Sequence, residues 1–290
     1  MSGFGSRLRF LGLAAIALVF SSGIALAQQT LESPAAAKLE VTSASEEANK
    51  HFWAGVHDAD NIFFARAATH FEKALEADPK FGLARVFHGR NAVGLSQAQR
   101  LEQINQGISE LSGATTGELL TALGMREWTA GNPKEAMALF GTASKMMPGD
   151  PHLALYKAFV TGGATNPERG IAATRAVTER FPEFAAAWNI LGYQLYNSGN
   201  QAGGLAAIRK YAELAGDHPN PHDSYAELLQ WSGRYDAAMK HYHRATELDP
   251  TFDQGYMGMA EVAQMKGEGK HAREHLAKAI EHALTPGAKL

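Results

Sequence analysis

A chain of 290 residues, 45% hydrophobic and 20% charged with a net charge of −3, has ordinary globular composition. Its mild acidity excludes the basic footprint that a nucleic-acid binder presents. With no cysteine, disulfides, thiolate metal sites and cysteine nucleophiles are excluded too.

The first element is a targeting segment. Arg7 and Arg9 precede the apolar run "FLGLAAIALVF", Phe10 to Phe20, and small residues lead to "ALA" at 25–27. Basic, apolar, then small-x-small predicts a signal peptide over 1–27, cleaved after Ala27, and export to the periplasm. The alternative is a retained anchor, but the apolar core falls short of the roughly 20 residues a spanning helix needs. The expectation is therefore no stable membrane insertion after cleavage. Residues 28–44, polar and small with one proline, predict a flexible linker.

From Ser45 the text becomes helical, with apolar residues three and four apart and Gly, Asn or Pro stops every 12–18 residues. Self-comparison finds units that start at Gly117, Pro151, Ala185, Pro219 and Asp253, each 34 residues after the last. Position eight reads Gly124, Ala158, Gly192, Ala226, Ala260, and position twenty reads Ala136, Gly170, Gly204, Ala238, Ala272. Small residues there let paired helices cross closely. Position fifteen reads Gly131, Thr165, Gly199, Gly233, Gly267, where glycine ends the first helix in a left-handed turn. Large residues at twenty-four, such as Phe140, Ile208, Tyr242 and Leu276, fill the space between helices, and proline at thirty-two stops the second helix. Lys157, Thr174 and Gly216 depart from their columns, which makes 214–222 the expected bend.

These residues resemble the tetratricopeptide repeat. "WNILGYQLYNSGN" at 188–200 is similar to the family's first helix, and "GRYDAAMKHYHRATELDP" at 233–250 to its second helix and stop. Less regular units begin near 48 and 82, so about seven units, starting near 48, 82, 117, 151, 185, 219 and 253, span 45–286 before a tail at 287–290. The resemblance implies an all-α, right-handed superhelical solenoid of helix-turn-helix repeats. It also implies a non-enzymatic scaffold or adaptor that binds a protein or peptide in its concave groove.

If the family's geometry carries over, positions two, five, nine, twelve and thirteen line that groove. They are Met125, Trp128, Leu155, Phe159, Asn189, Tyr193, Tyr196, Asn197, Asp223, Glu227, Gln230, Trp231, Met257 and Glu261. Aromatic and methionine side chains give contact area, and amides can bond an extended backbone. The same residues could instead bury against neighbouring helices or a second copy, which leaves a homo-oligomeric scaffold as the alternative. Positions five and nine hold none of the cationic clamp with which chaperone adaptors of the family grip a carboxylate terminus.

Among the 12 histidines, His271 with His275 and His241 with His243 are candidate metal pairs, the basis of a weaker reading as a metal-binding protein. Two ligands make a weak site, so the expectation is no bound metal and no cofactor. No Gly-x-Ser-x-Gly, His-Glu-x-x-His or strand-linked Gly-x-Gly-x-x-Gly occurs, and no enzymatic site is expected.

Overall fold

In a computed structural model, residues 37–61, 63–162 and 166–284 are described; the expected signal peptide, residues 28–36 and the tail at 287–290 lie outside them. The described residues form fourteen α-helices and no strand. They run α1 (Glu46–Asp60), α2 (Phe64–Ala77), α3 (Gly82–Asn91), α4 (Gln97–Ser109), α5 (Thr116–Ala130), α6 (Pro133–Met146) and α7 (Pro151–Gly162). Then come α8 (Pro167–Arg180), α9 (Ala185–Asn197), α10 (Gln201–Leu214), α11 (Pro219–Trp231), α12 (Tyr235–Leu248), α13 (Asp253–Met265) and α14 (Gly269–Leu284). Each odd helix packs antiparallel on the next, and successive pairs stack as an all-α superhelical repeat.

Local chemistry sets these boundaries. Pro133, Pro167 and Pro219 sit in the first helical turn, where a missing N–H costs nothing. Gly131, Gly199, Gly233 and Gly267 adopt φ of +72° to +93° at the turn between paired helices, a conformation that penalises a Cβ. Thr115 and Ser96 form capping boxes with Glu118 and Gln99.

The position-eight rule has a direct cause. A Cβ on Gly192 would lie 2.4 Å from Cγ1 of Ile208, the position-twenty-four residue of the same hairpin. Gly124 stands in the same relation to Phe140, at 2.5 Å. The large residue fills the space that the small one vacates.

Residues 37–44 correct the expectation of a free linker. They run extended across the stack and are held at three points. Leu39 N–H donates to Asp150 Oδ2 at 2.9 Å, and Gly149 N–H donates to Ala37 O at 2.8 Å. Thr42 N–H and Oγ1–H donate to the fully buried Glu118 carboxylate at 2.6 and 2.8 Å, and Ser43 Oγ–H donates to Asp78 Oδ2 at 2.6 Å. Leu39 joins the buried cluster that contains Met147 and Leu153. Polar acceptors and one apolar anchor turn a linker composition into a strap.

The opposite end departs from expectation too. α14 turns charge outward, but Leu276, whose column is expected to fill the space between helices, is 40% exposed, and Ile280 beside it is 49% exposed.

Two histidine pairs occupy the same columns of the first and sixth units. His51 Nδ1 lies 3.2 Å from His70 Nδ1, and His222 Nδ1 lies 3.3 Å from His241 Nδ1. Burial lowers the pKa of His222, and burial followed by its His222 neighbour lowers that of His241. Groups with depressed folded-state pKa support the fold above their unfolded value, near 6.5, and lose that support as pH falls through the folded one. These two histidines therefore lower stability as pH falls from 7 to 5, opposed by the carboxyls whose pKa the fold raises. Replacing His241 with glutamine is expected to raise the melting temperature at pH 5 relative to that at pH 7, compared with the parent chain; an unchanged difference in calorimetry would contradict the assignment.

Candidate functional site: the concave groove

The odd helices form the inner wall, and the first hairpin reaches across to touch it. Asn61, at the end of α1, accepts a hydrogen bond from the Tyr211 hydroxyl of α10, and Asn220 Nδ2 donates to that hydroxyl at 3.0 Å. Asp60 pairs with His152 of α7 at 2.9 Å. Burial opposes the imidazolium there, but Asp60 and then Asp150 hold the His152 pKa above its ordinary value. Phe63 meets Phe252 edge-on at 5.8 Å, and His57 lies 5.0 Å from His218. Unit one thus abuts units four to seven, and the groove is narrowed by the chain's own α1–α2 turn. This long-range closure has no signature in the 34-residue period.

The wall divides the residues expected to line it. Met125, Leu155, Asn189, Tyr196 and Gln230 are buried, which corrects their place as contact residues. Met125 and Leu155 serve the core. Tyr196 bonds Ser232 at 3.0 Å, and Gln230 accepts from Tyr242 at 2.7 Å while donating to Glu261 at 2.9 Å. Asn189 is fully enclosed, and neither side-chain polar atom has a partner among the described residues.

Trp128, Phe159, Tyr193, Asn197, Asp223, Glu227, Trp231, Met257 and Glu261 reach solvent wholly or in part. Trp231, 47% exposed, stands against Tyr193 at 6.1 Å and Tyr196 at 5.7 Å, with exposed Met257 on the next odd helix. Trp128 lies 5.0 Å from the exposed ring of Phe159 and is covered on one face by the Arg90 guanidinium at 3.8 Å. These are two apolar stations on one wall.

Two cavities accompany the stations. One, of about 510 Å³, lies between Trp128, Phe159, Gly170, Gln194 and Asn197. It opens where α7 and α8 approach backbone to backbone, since a Cβ on Gly162 would lie 2.5 Å from Gly170 Cα. The other, of about 700 Å³, lies between the α1–α2 turn and helices α9, α11, α13 and α14. Phe63, Phe64, Phe252 and Tyr193 line it together with Asp223, Glu227 and Asp253. Sequence reasoning missed the contribution of Phe63, Phe64 and Phe252, because they lie in or beside turns rather than on groove positions. Tyr193 donates to Glu227 Oε2 at 2.6 Å, and its pKa is raised by burial and then by that carboxylate. Burial likewise raises the Glu227 pKa; the hydrogen bond from Tyr193 opposes that rise, and repulsion from Glu261 adds to it.

Among the described residues no three His, Asp or Glu side chains gather as a metal site, and no helix is long and apolar enough to cross a membrane.

The tetratricopeptide repeat family profile matches residues 162–219. A TPR repeat-containing thioredoxin of Arabidopsis thaliana is 31% identical over 85 residues, 29% of this chain, and the chain spans only 12% of that relative's length. Among solved structures, MamA from Desulfovibrio magneticus RS-1 aligns at 16% identity with a TM-score of 0.49, covering 58% of this chain and 94% of its own. TTC0263, a thermophilic TPR protein of Thermus thermophilus, aligns at 19% identity with a TM-score of 0.48, covering 60% of this chain and 94% of its own. The profile match lies over α8 to α10, so this part of the chain is similar to the tetratricopeptide repeat family, and the same residue columns recur in the units on either side.

Proposed function

We propose that this protein is a non-enzymatic adaptor that captures a protein partner through the concave wall, with Tyr193 and Trp231 as its anchors. The observation that carries this is the exposed aromatic and methionine strip of Tyr193, Trp231 and Met257 along three successive odd helices. Partly exposed tryptophan and tyrosine dominate binding energy at interfaces, where each truncation often costs about 2 kcal/mol or more. The repeat fold supports partner binding in general, and this strip supports the concave wall as the contact surface.

The test is capture from a cell extract by the immobilised full chain, read by mass spectrometry. Replacing Tyr193 and Trp231 with alanine is expected to reduce recovery of the captured partner about 30-fold, the equivalent of roughly 2 kcal/mol, with helicity retained. Undiminished recovery would refute the site. The open face of α14, with Leu276 and Ile280 exposed, favours one second reading, an end-to-end contact between copies. Light scattering decides it, since a monomer at high concentration removes that reading.

The order of charge and hydropathy in residues 1–27 supports action after export, in the periplasm. N-terminal sequencing of the protein recovered from a producing cell is expected to begin at Gln28; a start at Met1 would end that proposal.

A further inference from the structure

The larger cavity has a feature that partner capture alone does not require. Asp223 lines it, and among the described residues no hydrogen bond or ion pair reaches its carboxyl. The charged groups acting on it are all acids: Glu227 one turn along α11, and Asp253 and Glu261 on α13. The hydroxyls facing this region, of Tyr193, Tyr211 and Tyr242, carry no positive charge. Arg66 and His282 are the basic side chains on the cavity wall, and both are engaged elsewhere: Arg66 lies 3.4 Å from Asp58 and over the Phe63 ring at 5.0 Å, and His282 stacks on Tyr256 at 5.3 Å. Asp223 is only partly exposed, and a carboxyl held largely out of water without a counter-charge is costly, a cost that an arriving cation relieves. Around it stand Phe63, Phe64, Phe252 and Tyr193, whose ring faces attract a cation once water is displaced.

We propose that this cavity, between the α1–α2 turn and helices α11 and α13, receives a lysine or arginine side chain of an extended partner peptide, with Asp223 and Glu227 as its counter-ions. The proposal rests on the groove reading above and names what the partner presents there. At about 700 Å³ the cavity holds a basic side chain together with the apolar residue beside it. Tyr193 lines the cavity and lies 6.1 Å from Trp231, so one extended segment can engage both the cavity and the anchors. A carboxylate or phosphate ligand is opposed by the same charges.

Protonation links to this site. Burial first, then the Glu227, Asp253 and Glu261 carboxylates, push Asp223 up to about 8. An entering cation favours the ionised form and displaces that proton. Affinity for a lysine peptide therefore rises with pH below about 8, by up to about tenfold per unit, and levels off above it, while the peptide amine stays charged to about pH 10.

The probes are capped heptapeptides of alanine and leucine with a central lysine, norleucine or glutamate, titrated into the full chain by calorimetry. The lysine peptide is expected to bind at least tenfold tighter than the norleucine peptide at pH 8, and the glutamate peptide weakest. Asp223→Asn with Glu227→Gln, both close in shape to the native residues, is expected to bring the ratio of lysine-peptide to norleucine-peptide affinity to about one. Melting temperature at or above that of the parent chain confirms that this variant is folded. Equal binding of lysine and norleucine peptides, preference retained in the variant, or no binding of any probe would each overturn the cation site. The capture assay with Tyr193 and Trp231 replaced judges the groove reading separately, so one can fail while the other stands.

Discussion

Gly192→Val is expected to destabilise the protein by about 3 kcal/mol, the upper end of what overpacking a close-packed interior costs. The cause is specific. A Cβ at 192 meets Ile208 Cγ1 at 2.4 Å, Cδ1 at 2.6 Å and the Ile208 backbone nitrogen at 3.2 Å. The side chain of Ile208 can rotate, but its backbone cannot, so α9 and α10 must move apart. That separation also loosens Leu191, Leu195 and Ala207, which form one buried cluster along the same seam. Thermal unfolding by circular dichroism should show a drop of roughly 6–12 °C. A second substitution separates crowding from other causes. Ile208→Ala alone leaves a cavity and costs about 2–5 kcal/mol. In the Gly192→Val background it removes the clash, so the double variant should be more stable than the sum of the two losses by at least about 1 kcal/mol. Additive losses would mean that Gly192 is small for another reason.

Glu118→Ala is the second large effect, again about 3 kcal/mol. Glu118 is fully buried and bonds two segments at once. It closes the α5 capping box, accepting from Thr115 N–H at 2.9 Å, and it receives the Thr42 backbone N–H at 2.6 Å with the Thr42 hydroxyl at 2.8 Å. Hydrogen bonds to a charged acceptor contribute about 1.5–3 kcal/mol each, and their loss leaves the Thr42 donors without a partner. The strap is expected to lift. Lys38, already exposed, then becomes a rapid trypsin site, while Asp150 and Ser43 hold the strap too weakly to protect it. Glutamine at 118 keeps an oxygen acceptor and should fall between the two. Unaltered trypsin resistance in the alanine variant would show that Leu39 burial alone secures the strap.

Much of the fold was legible because it is local and repeated. Helix starts at Pro151, Ala185, Pro219 and Asp253 fall where the period places them, and the glycine turns at 131, 199, 233 and 267 carry the positive φ that their column implies. A sequence reports such features well, since the residues that decide them lie within one hairpin. The groove was harder. Positions five, nine, twelve and thirteen name a direction around a helix, but whether that direction meets water depends on what lies across the wall. Asn189 and Met125 are enclosed, and Trp231 is open, although all three belong to the same set of positions. The strap is expected from its composition to be a linker, and nothing in the pattern marks the α1–α2 turn, for the same reason. Their order comes from Glu118, Asp150 and Tyr211, residues up to 150 positions away, and no short-range pattern encodes that.

The reach of unit one onto units four to seven changes how the molecule should come apart. An open stack of repeats interacts only with its neighbours, and it can fray from an end one hairpin at a time or survive trimming of its terminal units. Here Asn61, Asp60 and Phe63 bridge the first hairpin to the far half of the array. Deleting the opening hairpin would strip α7, α10 and the start of α13 of partners distant in the chain, so shortened chains should lose order at both ends together. Assembly carries the same signature. The clasp has a long loop to close before it is rewarded, which places it late in folding and makes the clasped array, rather than any single repeat, the unit that melts.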